Sequence, residues 1–220
     1  NNMKRLKFIT TIIILTSLLA CDTTPPVTFK EPQPSDTDNL SKFPDRLQGQ
    51  YLSLADNSVL VIGDKLIQRI YDFEQKIHPS QLDSNSRLSG DTIIDLTTNS
   101  REVVKRDGDS LVIHIHYIDT LFQMDYDNFV RKFKGYYFLN KRYDKESWEV
   151  KKIELSKGQL VVSSISTIQD IENLKTLTES TQDTVAPYKF ATTKKQFNEF
   201  IKNDGFSDSE TFVRQKKNAL

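Results

Sequence analysis

Cysteine is nearly absent: Cys21 is the single one in 220 residues. No disulfide can form within the chain, whatever the redox compartment. Histidine is scarce too, three in all, so the common nucleophile–base pairs of covalent catalysis have few members to draw on. No serine lies in a Gly-x-Ser-x-Gly elbow, and no glycine-rich phosphate loop occurs. Neither sign of charge is in excess, with 30 Lys and Arg against 30 Asp and Glu. That balance is no footprint for nucleic acid, nor for adhesion to anionic lipid by charge. The uncharged, mostly apolar stretch Phe8–Ala20 has 13 residues, too short for a helix that must cross about 20 residues of hydrocarbon.

That short stretch has another layout. Met3 is the expected start, with Asn1-Asn2 an upstream leftover. Lys4, Arg5 and Lys7 precede the apolar run as in a secretory signal peptide. The run ends in Leu18-Leu19-Ala20-Cys21, which resembles the lipobox of bacterial lipoproteins: Leu, a small residue beside the cleavage point, then the thiol that takes a diacylglycerol. The resemblance implies that residues 1–20 are a signal peptide and that Cys21 is the lipidated first residue of the mature chain. It implies a membrane partner through the acyl chains on Cys21, and two or more chains make such attachment stable. Cleavage removes three basic residues and no acid, leaving a formal balance of −3. The expected location is the cell envelope of a Gram-negative bacterium, with the domain in the periplasm or at the outer membrane.

Residues 21–42 read as a disordered tether. Pro25, Pro26, Pro32 and Pro34 fall here among polar residues, a composition that buries too little apolar surface to order itself and favours extended chain. Residues 43–220 read as one globular domain of the α+β class. Val59–Ile62 and Leu66–Tyr71 around Gly63-Asp64-Lys65 form a hairpin, as do Trp148–Leu155 and Gln159–Ser166 around Ser156-Lys157-Gly158. Ser89-Gly90-Asp91 and Asp107-Gly108-Asp109 mark further turns. The spacing predicts a mainly antiparallel meander, closed as a barrel or folded as a sandwich. Trp148 and Val150 differ in parity from Ile153 and Leu155, which predicts a β-bulge at Lys151-Lys152. Phe43–Tyr51 and Phe129–Tyr137 share Phe, a basic residue, a large apolar residue and Gly-x-Tyr at one offset. The match suggests two similar units, 43–128 and 129–220.

The last third predicts two or three helices. Ile168, Ile171, Leu174 and Leu177 recur on one side of the first, with Thr167 and Asp170 as a capping box. Tyr188 and Phe190 are expected to plug the core from a loop. Thr193 and Gln196 cap a second helix with the stripe Phe197, Phe200 and Ile201, stopped by Asn203-Asp204-Gly205 and followed by Phe206. Ser207 with Glu210 predicts a third, carrying Phe212 and Val213.

His114 and His116 alternate with isoleucines, so on a strand they share a face about 6.6 Å apart. Two imidazoles so placed can hold a metal if His78, Glu102 or Asp119 supplies a third ligand. The alternative has Leu111, Ile113, Ile115 and Tyr117 facing the core and the histidines facing water, and it is preferred, because His-x-His alone is a weak signal. Asp125-Tyr126-Asp127-Asn128 lacks the glycine and the terminal glutamate of a calcium loop and reads as a turn. Tyr136 is a candidate for a ligand mouth or for core packing.

These residues point to a non-catalytic interaction module that binds another envelope component, with no cofactor, no nucleic acid and no assigned catalytic residue. The alternative is binding of a hydrophobic small molecule: Gly49-x-Tyr51 and Gly135-x-Tyr137 resemble the Gly-x-Trp near the first lipocalin strand, with tyrosine in place of tryptophan. A metal-dependent enzyme using His114 and His116 is the third reading. A closed barrel with an apolar cavity above ~300 Å³ would favour the binder, and a filled core would count against it.

Overall fold

A computed structural model describes residues 26–178 and 186–215; residues 1–20 and Cys21 lie outside them. In chain order the elements are β1 Val27–Phe29, β2 Gly49–Ser53, β3 Val59–Ile62, β4 Leu66–Ile77, β5 Ser86–Ser89, β6 Thr92–Asp95, β7 Arg101–Val103, β8 Lys105–Asp107, β9 Ser110–Gln123, β10 Phe129–Phe133, β11 Tyr136–Asp144, β12 Ser147–Ser156, β13 Gln159–Ser164, α1 Ile168–Thr178, β14 Tyr188–Phe190, α2 Lys194–Lys202 and β15 Asp208–Arg214. The fold is α+β and dominated by strands. The described chain forms two compact units. One holds residues 71–117, the other 26–70 and 118–215. The boundaries of the suggested repeat, 43–128 and 129–220, are not those of the units.

In the larger unit the strands run β10-β11-β12-β13-β15-β2-β3-β4, all antiparallel, and β9 follows β4. The sheet does not close into a barrel among the described residues. Tight turns set its registers. Lys134-Gly135 and Lys157-Gly158 both take positive φ and join Phe133 to Tyr136 and Ser156 to Gln159, the two-residue hairpin turn that matches strand twist.

One face of this sheet buries Tyr51, Leu60, Ile62, Ile67, Val130, Tyr137, Ile153, Leu160 and Phe212 with Phe43, Leu47 and Phe122. The opposite face of β11 and β12 packs Phe138 and Val150 under α1 and α2 with Phe29, Phe197, Phe200 and Phe206. Burial on both faces explains the apolar parity change in β12. Its pairing with β11 is unbroken from Lys141↔Glu149 to Tyr137↔Ile153, and no bulge occurs at Lys151-Lys152. Val150 belongs to one core and Ile153 to the other, so strict alternation serves a strand with two buried sides.

Three further expectations are corrected. The proline-rich stretch is ordered from Pro26 onward: β1 pairs antiparallel with β12 and parallel with β14. Buried Asn140 accepts from the Gln33 N–H and donates to the Gln33 carbonyl at 2.8 Å, and Arg131 Nη1 donates to Pro34 O at 2.7 Å. Distant side chains supply the partners that its composition lacks. Residues 207–213 are not a third helix. From Asp208 they lie in β15, with Glu210 and Phe212 on one face, paired between β13 and β2. A seven-residue helix would leave most end groups unpaired, whereas a strand between two neighbours pairs its backbone groups on both sides. The Phe43–Tyr51 and Phe129–Tyr137 segments also differ, since residues 45–47 form a turn and Phe129–Phe133 is a strand.

The helix signals hold for α1 and α2. Thr167 Oγ1 accepts from Asp170 N at 3.1 Å, while the Asp170 carboxylate turns to Ser207. Thr193 and Gln196 form the reciprocal box. Gly205 N donates to Phe200 O at 3.0 Å and Asp204 takes the positive φ of 57°, the wrap that ends a helix. Phe190 reaches the core from β14.

In the smaller unit, β5, β6 and β7 form a three-stranded antiparallel sheet, and β8 pairs with β9 across Asp107–Ser110. Ile77, Val104 and Leu111 form its buried core.

Candidate functional site

The face of the larger unit that buries Leu60, Ile153 and Phe212 carries a cleft of about 380 Å³, within the range of small-molecule sites. Period-two alternation supplies its wall. β11 presents Leu139 and Lys141, β12 presents Glu149, Lys151 and Ile153, β13 presents Val162 and Ser164, and β15 presents Asp208, Glu210 and Phe212. Register puts Leu139 opposite Lys151, Lys141 opposite Glu149, Val162 opposite Glu210 and Ser164 opposite Asp208. β3, β4 and β9 add Leu60, Ile67, Arg69 and Asp119–Phe122 to the lining.

Polarity changes along the strands. Leu60, Ile67, Phe122, Ile153 and Phe212 form an apolar floor, all nearly inaccessible. Arg69 borders it with its side chain 13% exposed. Its guanidinium donates to both Glu210 oxygens at 2.8 and 2.6 Å, to Ser58 Oγ at 2.6 Å and to Asp56 Oδ2 at 2.9 Å, and its Cζ lies 5.5 Å from the Phe212 ring centroid. Burial pushes the Asp56 carboxyl up, but hydrogen bonds from Ser58 and Arg69 outweigh it and hold the group down at about 2. Toward the opening, Asp208 accepts from Ser166 Oγ at 2.9 Å and Ser164 Oγ at 3.3 Å. Lys151 Nζ stands 3.9 Å from Glu149. Lys141 and Asp119 make no ion pair among the described residues.

The matching Gly-x-Tyr tyrosines both enter the core on this face. Tyr51 Oη donates to Leu47 O at 2.7 Å under the Arg214 guanidinium, which lies 4.9 Å from its ring, and burial pushes its phenol up. Tyr137 Oη accepts from Arg46 Nε at 2.7 Å. Both rings are part of the filled core.

His114 and His116 share an exposed face in the smaller unit. Asp72 lies between them: its Oδ1 is 3.3 Å from His114 Nε2 and its Oδ2 is 3.2 Å from His116 Nδ1. Leu111 is buried and Ile113 and Ile115 half-buried, as the water-facing alternative expects, but Tyr117 is 52% exposed and stacks on Tyr71 at 5.7 Å. Burial raises the Glu102 carboxyl, opposed by charge on His114. His78 instead caps the turn Pro79–Gln81, and Asp119 lines the larger unit's cleft. No group of three or more His, Cys, Asp or Glu among the described residues is placed to hold a metal. Asp125 Oδ1 accepts from the N–H groups of Asp127 and Asn128 at 2.8 Å each, the turn expected there. Tyr136 packs against Phe138 and Lys152 on the helical side, not in the cleft.

Sequence reasoning missed the charged residues of the cleft. The signal was present: Glu149 and Lys151 share parity with Ile153 and Leu155, which places charge on a core-facing side. No family model, curated protein or solved structure matches the chain.

Proposed function

We propose that the chain is a non-catalytic binding protein of the bacterial cell envelope, held to the membrane by acyl chains on Cys21, whose cleft receives a small amphipathic molecule. The 380 Å³ cleft carries this reading, because it joins an apolar floor to a charged opening. A ligand's apolar part gains about 25 cal/mol per Å² on burial there, and the charged groups orient its polar end. The lipocalin-like alternative is retained in its binding chemistry, without a closed barrel and without a purely apolar ligand. A second reading, docking of another envelope component, is favoured by Phe73 and Tyr117 on the smaller unit, 45% and 52% exposed.

Native mass spectrometry of residues 22–220, exported to a periplasm and gently purified, tests the proposal. A retained adduct of small-molecule mass is expected; a bare chain that also binds no amphiphile in solution refutes it. In membranes, the full chain should incorporate labelled palmitate, and Cys21→Ala should lose the label.

A further inference from the structure

Resting on the binding reading above, we infer that the ligand of the cleft is a zwitterion, carrying an ammonium and an anion on a short apolar body. The charges at the opening demand both signs. Arg69 and Glu210 satisfy one another through two hydrogen bonds. What remains is Lys141 and Lys151 against Asp119, Glu149 and Asp208. Lys141 stands opposite Glu149, and Lys151 lies two residues along the same β11–β12 pair, opposite Leu139. Their mutual pairing is loose: Glu149 and Lys151 approach only to 3.9 Å, and Lys141 and Asp119 have no ionic partner among the described residues.

A neutral apolar guest would strip water from charges of both signs and return nothing, at a cost of several kcal/mol for each ion fully desolvated. A simple anion would meet the two ammonium groups but leave three carboxylates facing it. A simple cation has the converse mismatch with the lysines. A zwitterion places its anion at Lys141 and Lys151 and its ammonium at Asp119 and Asp208, replacing lost water with charge-assisted hydrogen bonds on both sides. The size agrees with a small body. At ~30 Å³ for each water-sized unit, 380 Å³ admits roughly a dozen non-hydrogen atoms. This chemistry is shared by a free amino acid with an apolar side chain and by the headgroup end of a zwitterionic lipid.

Calorimetric titration of residues 22–220, which retain every described residue, with four eight-carbon probes decides the matter: octanoate, octylammonium, 2-aminooctanoate and octylphosphocholine. At least one zwitterion should bind about tenfold or more tighter than either singly charged probe. Tighter 2-aminooctanoate identifies the amino-acid source, and tighter octylphosphocholine the lipid headgroup. Lys141→Met with Lys151→Met should shift the preference toward octylammonium, and Asp208→Asn toward octanoate. Equal binding of all four, or preference for a singly charged probe, overturns the zwitterion while leaving the binding reading standing. Binding of none overturns both. Circular dichroism of each variant establishes that a lost preference is not lost folding.

Discussion

Replacing Asn140 tests whether the proline-rich stretch belongs to the fold. Asn140 is fully buried and Gln33 is 1% exposed. The Asn140 carbonyl oxygen accepts from the Gln33 N–H, and its amide donates to Gln33 O at 2.8 Å and Phe138 O at 3.2 Å. Asn140→Ala leaves both backbone groups of Gln33 buried without that partner. Each such group costs about 1–3 kcal/mol, so the loss should be roughly 2–6 kcal/mol. For a chain of this size 1 kcal/mol moves the midpoint by about 2–4 °C, which predicts a fall of at least ~4 °C and up to roughly 20 °C. Asn140→Asp should be at least as harmful, because a carboxylate cannot donate to Gln33 O and would bury a charge. Thermal unfolding followed by circular dichroism gives the magnitude. Hydrogen exchange gives the place: residues 27–35 should lose protection, with the β2–β3–β4 hairpins unchanged. A midpoint within 1 °C of the parent and unchanged exchange at 27–35 would refute the clamp.

Asp56 predicts a pH effect. Its folded value of about 2 lies below the ordinary carboxylate value, so its contribution to stability is present above pH ~4 and is lost as pH falls toward 2. Since the carboxylate is 41% exposed, the contribution should stay at or below about 1 kcal/mol. Asp56→Asn should therefore be less stable than the parent at pH 7 and nearly equal to it near pH 2 in urea titrations; a constant difference would assign the effect to packing. Gly205→Ala tests the end of α2. A Cβ there would sit 2.6 Å from the Phe200 ring and from Phe200 O, one of them backbone, so destabilisation of about 1–3 kcal/mol is expected. A neutral result in the same urea assay would show that the Phe200–Phe206 pair yields freely.

Much of the secondary structure was legible because it is coded locally. The Lys157-Gly158 turn, the Thr193–Gln196 box and the wrap at Asp204-Gly205 each need only neighbours in sequence. The water-facing histidines were legible for the same reason, since alternation places His114 and His116 on one side of β9. The cleft was not. Its charges come from β11, β12 and β15 and from β4 and β9, and nothing local tells that Lys141 will stand opposite Glu149. Residues 207–213 misled for a related reason: a capping signature and an apolar pair satisfy a helix locally, but the open edges of β13 and β2 make pairing the better arrangement for the backbone.

The sequence by itself determined the strand-rich α+β class, the positions of its tight turns, the two helix starts and the exposure of the histidine pair. Only the tertiary structure decided that β12 is buried on both faces, that Pro26–Lys42 is held by Asn140 and Arg131, and that charge and apolar surface meet in one cleft. The first group depends on backbone preferences and side-chain period within a few residues. The second depends on hydrogen bonds and packing between segments 107 and 141 positions apart, which no local pattern encodes.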